Sequence, residues 1–571
     1  MDSIFSRREF LKTFGACAAV LPLSGCIKES EKPNVIIVLT DDQGYGDVGV
    51  KGNDKIRTPN IDQFAGEGID FTRFYCSPVC APTRASLMTG RCYYRTGVIH
   101  TSRGGAKMHG DEVTLAERLQ AAGYATGIFG KWHLGDNYPM RPQDQGFEQS
   151  LIHKSGGIGQ TPDRPNSYFN PVLWRNGRQV NTNGYCTDVF TDAAIRFIET
   201  NKDRPFFVYL PTNAPHTPLE IDKKYSGPYK EAGLNDTTAK VYGMITNIDE
   251  NFGRLLKKLE DLHLRENTII VFLGDNGPQQ KRYTGGLRGR KSSTYEGGIR
   301  VPFFTQWPAR FRQMRKIDRI AAHIDIYPTI LEACGLKTPD QSRIDGRSLL
   351  SLLEDSHSAW EDRTLFFQCH RGLMPKRYQN CAAVTQRYKM VGFPNTFNNE
   401  NLETSENPVL ELYDIVKDPG EENNIADSYP DILSSLRTQY DIWYDDMKET
   451  RQFTPGYIHI GSDVEIPVHL CRYQDSAYKD GKPTFWDVIV ERSGMYEFII
   501  NRGTSLEKGN MYASVNGRQL SVPVGEGENR AVFQLPSGKV KLDIWVQEEG
   551  KPRVIHTRSS TIGDVDVRLL E

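Results

Sequence analysis

Short, almost wholly apolar runs recur along the chain, and each ends in polar residues. Asn34 to Thr40 runs into Asp41 and Asp42, Ala125 to Phe129 into Gly130 and Lys131, Pro205 to Leu210 into PTNAPH, and Thr268 to Leu273 into GDNG. A strand that is apolar on both faces suits a parallel sheet covered by helices. In open sheets of that kind, ligands bind just outside the C-terminal strand ends. Helical patterns fall between the runs. Thr114-Leu115-Ala116-Glu117 reads as a capping box with Gly123 at the far end. Lys240 to His263 places Ile245, Ile248, Phe252, Leu255 and Leu259 on one stripe. Tyr327 to Cys334 has Pro328 near its start and Gly335 just past its end. The alternation predicts an α/β domain of three layers over residues 32–335.

Beyond Gly335 the pattern changes twice. Residues 336–454 read as a smaller α+β subdomain completing the same unit, with strands near Thr364–Phe367, Cys381–Val384 and Tyr388–Val391 and a helix over Pro430–Met447. Residues 455–571 alternate polar and apolar positions. Two segments flank Ser493-Gly494, two more flank the hairpin signal Asn516-Gly517, and KVKLDIWVQ follows, which together predict a β-sandwich. Trp486, Tyr496 and Trp545 are expected in its core.

Composition adds less. With 70 Lys and Arg against 72 Asp and Glu, the net charge of -2 offers no global basic field of the kind nucleic-acid binding calls for. Ten cysteines in 571 residues are too sparse for a disulfide-built scaffold, leaving room for one or two bridges. The N-terminus is more specific. Ser6-Arg7-Arg8-x-Phe10-Leu11-Lys12 precedes an apolar stretch too short to span a bilayer, and resembles a twin-arginine export signal. Leu23-Ser24-Gly25-Cys26 resembles a lipobox. The expectation is a signal over 1–26, lipidation at Cys26, and a bacterial envelope location, periplasmic or outer-membrane, with the lipid as the only membrane attachment.

The densest chemistry lies in Cys76-Ser-Pro-Val-Cys80-Ala-Pro82-Thr-Arg84, followed by Leu87, Met88, Thr89, Gly90 and Arg91. Cys80-x-Pro82-x-Arg84 resembles the signature of the formylglycine-dependent sulfatases, arylsulfatase-like members of the alkaline-phosphatase-like superfamily. Cys76 lacks the arginine in register. The resemblance runs from Asn34 to about Asp446. It implies oxidation of Cys80 to formylglycine by a formylglycine-generating or radical sulfatase-maturing enzyme. It also implies a metal held by Asp41, Asp42, Asp275, Asn276 and the modified Cys80. Oxygen ligands of this hard type suit calcium first and magnesium second.

The resemblance further implies that Lys131 contacts a sulfate oxygen and that His133 hydrogen-bonds the spare hydroxyl of the aldehyde hydrate. His216 meets the sulfate and the bridging oxygen, and Lys291 stabilises the departing alkoxide. Arg84 adds positive charge beside Cys80. Glu296, Arg300, His323 and Asp325 are assigned structural or framing roles. Gly297 and Gly298 are expected to permit a tight turn. The activity implied is hydrolysis of sulfate esters, on sulfated carbohydrate or another sulfate ester. Two other readings stay open: a phosphomonoester or phosphodiester hydrolase of the same superfamily, and a non-catalytic glycan-binding protein. Segments 154–179, 280–288 and 368–379 are candidates for the pocket rim, the last carrying Cys369, His370 and Arg371.

Overall fold

The computed structural model describes residues 32–570, apart from 164, 312, 339–342, 401, 404–407, 480–481, 502–508, 526 and 551–562. The proposed signal and Cys26 lie outside the described residues. Among the described residues no helix is long and apolar enough to cross a membrane.

A ten-stranded sheet forms the centre. Asn34–Thr40 lies between Phe206–Pro211 and Thr268–Gly274 and runs parallel to both, and Ala125–Lys131 and Gln149–His153 continue the parallel set. Every residue of the four longest apolar strands is buried. The reason is the period-2 geometry of a strand. Val35, Ile37 and Leu39 enter one core with the helices Cys80–Thr89, Leu115–Ala121 and Ile326–Ala333. Ile36 and Val38 enter a second core on the other face, against Pro59–Glu67, Cys186–Thr200 and Asp236–Asp261. The fold is therefore a helix–sheet–helix sandwich, and the polar strand ends open along one edge.

Helix Asp236–Asp261 begins four residues before the apolar stripe suggested. Its first turn is polar, and it is started by the Asn235 side chain accepting the Thr238 N–H at 3.0 Å. Ile245, Ile248, Phe252, Leu255 and Leu259 are all buried, each contributing about 1.5–3 kcal/mol at most.

Four antiparallel strands follow: Leu365–Gln368, Cys381–Val384, Tyr388–Gly392 and Leu410–Asp414. The fourth was not expected, because LELYD alternates too weakly to stand out. Helix Pro430–Arg451 packs on this sheet, and Met390, Leu412, Leu436 and Tyr440 belong to the same core as Val35.

The C-terminal segments form one five-stranded and one four-stranded sheet around a third core. Asn516-Gly517 closes a hairpin between Gly509–Val515 and Arg518–Val524. Ser493-Gly494 does something different: it carries the chain from Trp486–Val490 in one sheet to Gly494–Ile500 in the other. Trp486 and Tyr496 are in the core, but Trp545 is not. Its neighbour Ile544 faces inward, so by strand parity Trp545 faces out, where it stacks on Tyr512 at 5.2 Å. Met140, from the catalytic region, inserts into this third core. All eight described cysteines are free and buried, so no bridge forms among them.

Candidate active site

The polar strand ends meet at one place. Across the parallel pair, Thr40 is in register with Gly274, so Asp41-Asp42 and Asp275-Asn276 leave the sheet side by side. The Asp275 N–H donates to the Thr40 carbonyl at 2.9 Å, and the Asp42 N–H donates to Asp275 Oδ1 at 3.1 Å. Helix Cys80–Thr89 starts here, with Cys80 as its first residue and all ten residues buried. Arg84, one turn on, is locked in place. Its Nη2 and Nε donate to Asp275 Oδ2 at 2.7 and 3.2 Å, and its Nη1 donates to the Lys131 carbonyl at 2.9 Å.

Possible ligand atoms of Asp41, Cys80 and Asp275 all lie within 4.8 Å of one another, as do those of Asp41, Asp42 and His216. Lys131 Nζ is 2.7 Å from Asp41 Oδ2, and Lys291 Nζ is 2.6 Å from Asp42 Oδ1. Asn276 Nδ2 donates to Asp42 Oδ1 at 2.8 Å, and His216 Nε2 is 3.9 Å from Asp42 Oδ2. Thus Arg84, Lys131, His133, His216 and Lys291 converge with the four Asp/Asn positions on Cys80.

Charge governs this centre. Burial pushes the Asp41 carboxyl up, but Lys131, His216, Arg84 and Lys291 outweigh it and hold the group well below the usual carboxylate range. Burial raises Asp275, as does Asp41, against the pull of Arg84. Burial lowers Lys291, but Asp42 and its neighbours more than reverse this, so its ammonium is held above its ordinary value.

The two histidines are oriented by backbone carbonyls. His133 Nε2–H donates to the Thr101 carbonyl at 2.8 Å, which leaves Nδ1 as an acceptor 3.4 Å from Cys80 Sγ. Burial, then Lys131, holds this ring well below the usual histidine range, so it is neutral near pH 7. His216 Nδ1–H donates to the Thr217 carbonyl at 2.7 Å, leaving Nε2 toward Asp42. Burial, then Lys291, lowers it to about 4.

The donor set fits a hard cation. Asp41 Oδ1, Asp42 Oδ2 and Asn276 Oδ1 are buried without a hydrogen-bond partner. An orphaned buried oxygen costs about 1–3 kcal/mol, and three in one site mark an unmet ligand. Carboxylate and amide oxygens are donors for calcium or magnesium.

Other positions were less visible in the sequence. Arg282 Nη2 donates to the Asp42 carbonyl at 2.7 Å and pairs with Asp47 at 2.7 Å, fixing the turn that presents Asp42. Thr83 Oγ1 donates to the Asp275 carbonyl at 2.8 Å. At Gly156 a Cβ would lie 2.9 Å from His133 Cε1, and at Gly157 it would lie 3.4 Å from His216 Nδ1. The glycine pair was the available signal that backbone presses on the site. Gly104 N–H donates to the Gln474 carbonyl at 2.8 Å, and Gln474 Nε2 reaches the same Thr101 carbonyl that orients His133, at 3.4 Å.

The framing residues sit apart from the carboxylates. His323 Nε2 is 3.5 Å from Ser77 Oγ, and Asp325 accepts from the Ala322 and Arg347 amides and pairs with Arg363. Cys369 and His370 are buried loop contacts, and Arg371 donates to Ser102 Oγ at 2.8 Å. Gly297 and Gly298 serve close approach, not a turn. Neither has positive φ, and a Cβ on Gly298 would lie 1.9 Å from the Ser293 carbonyl oxygen.

Glu296 lies 3.5 Å from Arg300, and its other oxygen meets a cation the sequence did not suggest. Lys389 Nζ is 3.1 Å from Glu296 and 2.9 Å from Glu421, and all three side chains are fully buried. Burial, offset in part by Lys389, raises Glu421 to about 7. Lys389→Met should therefore destabilise the protein by about 3–5 kcal/mol, because two buried carboxyls lose the cation they share and only Glu296 keeps a second one, Arg300. The loss should be largest above pH 7 and shrink in acid, where Glu421 takes up a proton and the repulsion falls. Urea unfolding at several pH values measures this. A pH-independent change below about 1 kcal/mol would show that the triad is not a stabilising unit.

Sheet topology and a cationic, carboxylate-lined centre at the strand ends define an α/β-class protein with a site suited to anionic esters. Residues 33–336 match the family described as Sulfatase, and residues 290–442 match N-sulphoglucosamine sulphohydrolase, C-terminal. The chain is 29% identical to human arylsulfatase A over 79% of its own length and 95% of the relative's. It is 30% identical to human N-acetylgalactosamine-6-sulfatase, over 59% of this chain and 68% of that one. The structure of Ps i-CgsB in complex with k-i-k-neocarrahexaose superposes with a TM-score of 0.64 at 28% identity, covering 74% of this chain and 94% of that one. The chain belongs to the sulfatase family, and its activity is that of a sulfuric ester hydrolase.

Proposed function

We propose that this sulfatase releases sulfate from sulfated carbohydrate, using formylglycine made from Cys80 and a calcium ion held by Asp41, Asp42, Asp275 and Asn276. The observation that carries the reading is the placement of Cys80: first residue of a buried helix, 3.4 Å from an accepting His133 Nδ1, beside the Asp41 and Asp275 carboxylates. Carbohydrate is supported by the names of relatives, N-acetylgalactosamine-6-sulfatase and the neocarrahexaose complex. Calcium would add net positive charge to the site and polarise a sulfate oxygen, and the hydrated aldehyde would supply a nucleophilic oxygen with a second, ionisable hydroxyl.

The chain's own residues do the rest. His133, held by Thr101, takes a proton at the γ position of residue 80. Lys131 and His216 hold the sulfate, and Lys291 stabilises charge on the leaving oxygen. Arg84 fixes Asp275 and gives its positive charge to the same centre. A maturing enzyme of the formylglycine-generating or radical class supplies the oxidation. Arg7-Arg8 and Leu23–Cys26 support export by the twin-arginine route and a lipid anchor in the bacterial envelope.

The test is sulfate release from a panel of sulfated oligosaccharides by protein co-expressed with a maturing enzyme, beside the corresponding phosphate esters. Sulfate esters should be preferred by about 100-fold or more, because the two groups share a tetrahedral shape but a sulfate monoester carries one negative charge where a phosphate monoester carries nearly two. Faster turnover of the phosphate esters would overturn the reading.

A further inference from the structure

A cleft of about 930 Å³ lies between the hairpin Val172–Arg175 to Arg178–Asn181 and the edge of the C-terminal sheets near Asp463–Pro467. Its volume is that of a ligand site rather than a packing defect. The charges in its lining are unevenly committed. Asp163 accepts from the Lys154 amide at 2.7 Å and from Trp174 Nε1 at 3.2 Å. Asp463 pairs with Arg492, Asp566 with His469, and Glu465 with Arg141. Two cations make no direct ion pair. Among the described residues, neither Arg178 nor Lys154 has a carboxylate within ion-pairing distance. Arg178 is exposed. Lys154 is only 9% exposed, with its ammonium 4.0 Å over the Trp174 ring. Asp136, Asp163 and Glu465 place carboxylates in the field of this ammonium, but none forms a direct ion pair with it, which leaves room for a direct anionic partner in the space beside it.

The cleft is also close to the catalytic centre. His153 is in register with Lys131, and Lys154 follows it. Gly156 and Gly157 already stand against His133 and His216. Three residues, from 154 to 157, span at most about 11 Å. An oligosaccharide bridges such a distance; a small aryl ester does not.

We propose that this cleft binds a second stretch of an anionic carbohydrate substrate, with Arg178 and Lys154 receiving a sulfate or carboxylate group away from the ester that is cut. Arg178 presents a planar fork suited to either group, and Lys154 a point charge. The proposal rests on the carbohydrate reading above and adds where the rest of the chain goes.

The test compares Arg178→Ala, Arg178→Glu and Arg178→Lys with the parent protein, in the full matured chain. Substrates are a small aryl sulfate and di- to hexasaccharides cut from the sulfated polymer that the parent desulfates fastest. For the hexasaccharide, KM should rise about tenfold in Arg178→Ala and further in Arg178→Glu, with partial rescue in Arg178→Lys. The disaccharide and aryl sulfate should be unaffected, and added salt should erase the hexasaccharide's advantage. Equal KM values for the parent and Arg178→Glu at every length would overturn the proposal. A parent that cleaves aryl sulfate but no sulfated oligosaccharide of any length would sink the carbohydrate reading itself, and this proposal with it.

Discussion

Replacing Cys80 with alanine should lower sulfate-ester turnover by roughly 10⁴-fold or more while leaving the fold in place, because the covalent route is lost and only charge stabilisation remains. Only one sulfur atom is removed from the first turn of a buried helix, so the structural cost should stay near about 1 kcal/mol. Serine at this position should be as inactive, unless the host oxidises serine. Neither Cys76 nor Cys92 can substitute. Cys76 has Cys80 where the signature needs an arginine, and Cys92 is followed by Tyr94 and Thr96 where it needs proline and arginine. Mass spectrometry of the peptide containing Cys80, run beside kinetics on the same preparation, decides the matter. Activity should scale with the fraction in which oxygen has replaced sulfur. Full activity in a sample holding only the thiol would end the mechanism.

The second large effect is expected at Asp41. Three carboxylates, Asp41, Asp42 and Asp275, face three fixed cations, Arg84, Lys131 and Lys291. These charges balance one another, so the proposed divalent cation would add the net positive charge that a sulfate monoester anion answers. Asp41→Asn keeps the shape, spares Lys131 an apolar neighbour and removes one ligand charge. Bound calcium and turnover should fall together, turnover by about 10²-fold or more. Metal content after chelation and dialysis gives the first reading. The second is thermal unfolding with and without calcium. The parent should gain up to about 4 kcal/mol at a large calcium excess, and the variant much less. Undiminished turnover by a verified metal-free parent would rule the ion out of the chemistry.

The parts of this architecture that are local in the chain were legible in it. The apolar runs marked their strands to within two residues, since burial on both faces leaves no room for polar positions. The Thr114–Glu117 box was read correctly because both of its bonds span three residues. Asp41, Cys80, Lys131 and Asp275 stood at the ends or starts of such elements, and the fold gathers strand ends. What escaped depends on distant pairs. Arg282 and Asp47 are 235 positions apart, and Gln474 and Thr101 are 373 apart, so no local pattern announces either contact. Trp545 was misplaced by one step of strand parity, which sends a side chain to the opposite face.

The complete burial of helix Cys80–Thr89 also sets a schedule. On the proposed reading, an enzyme that oxidises Cys80 must grip the backbone around it, and it could not do so once the sheet had closed over that helix. Closure waits for Asp275, because Arg84 is held by that carboxylate, 191 positions later in the chain. At ordinary rates of synthesis that interval lasts roughly 10–40 s. During it the segment has left the ribosome but lacks the strand that will seal it. A chain made faster than its maturing partner can work would fold into a stable protein with an intact thiol, which no later encounter could repair without unfolding it.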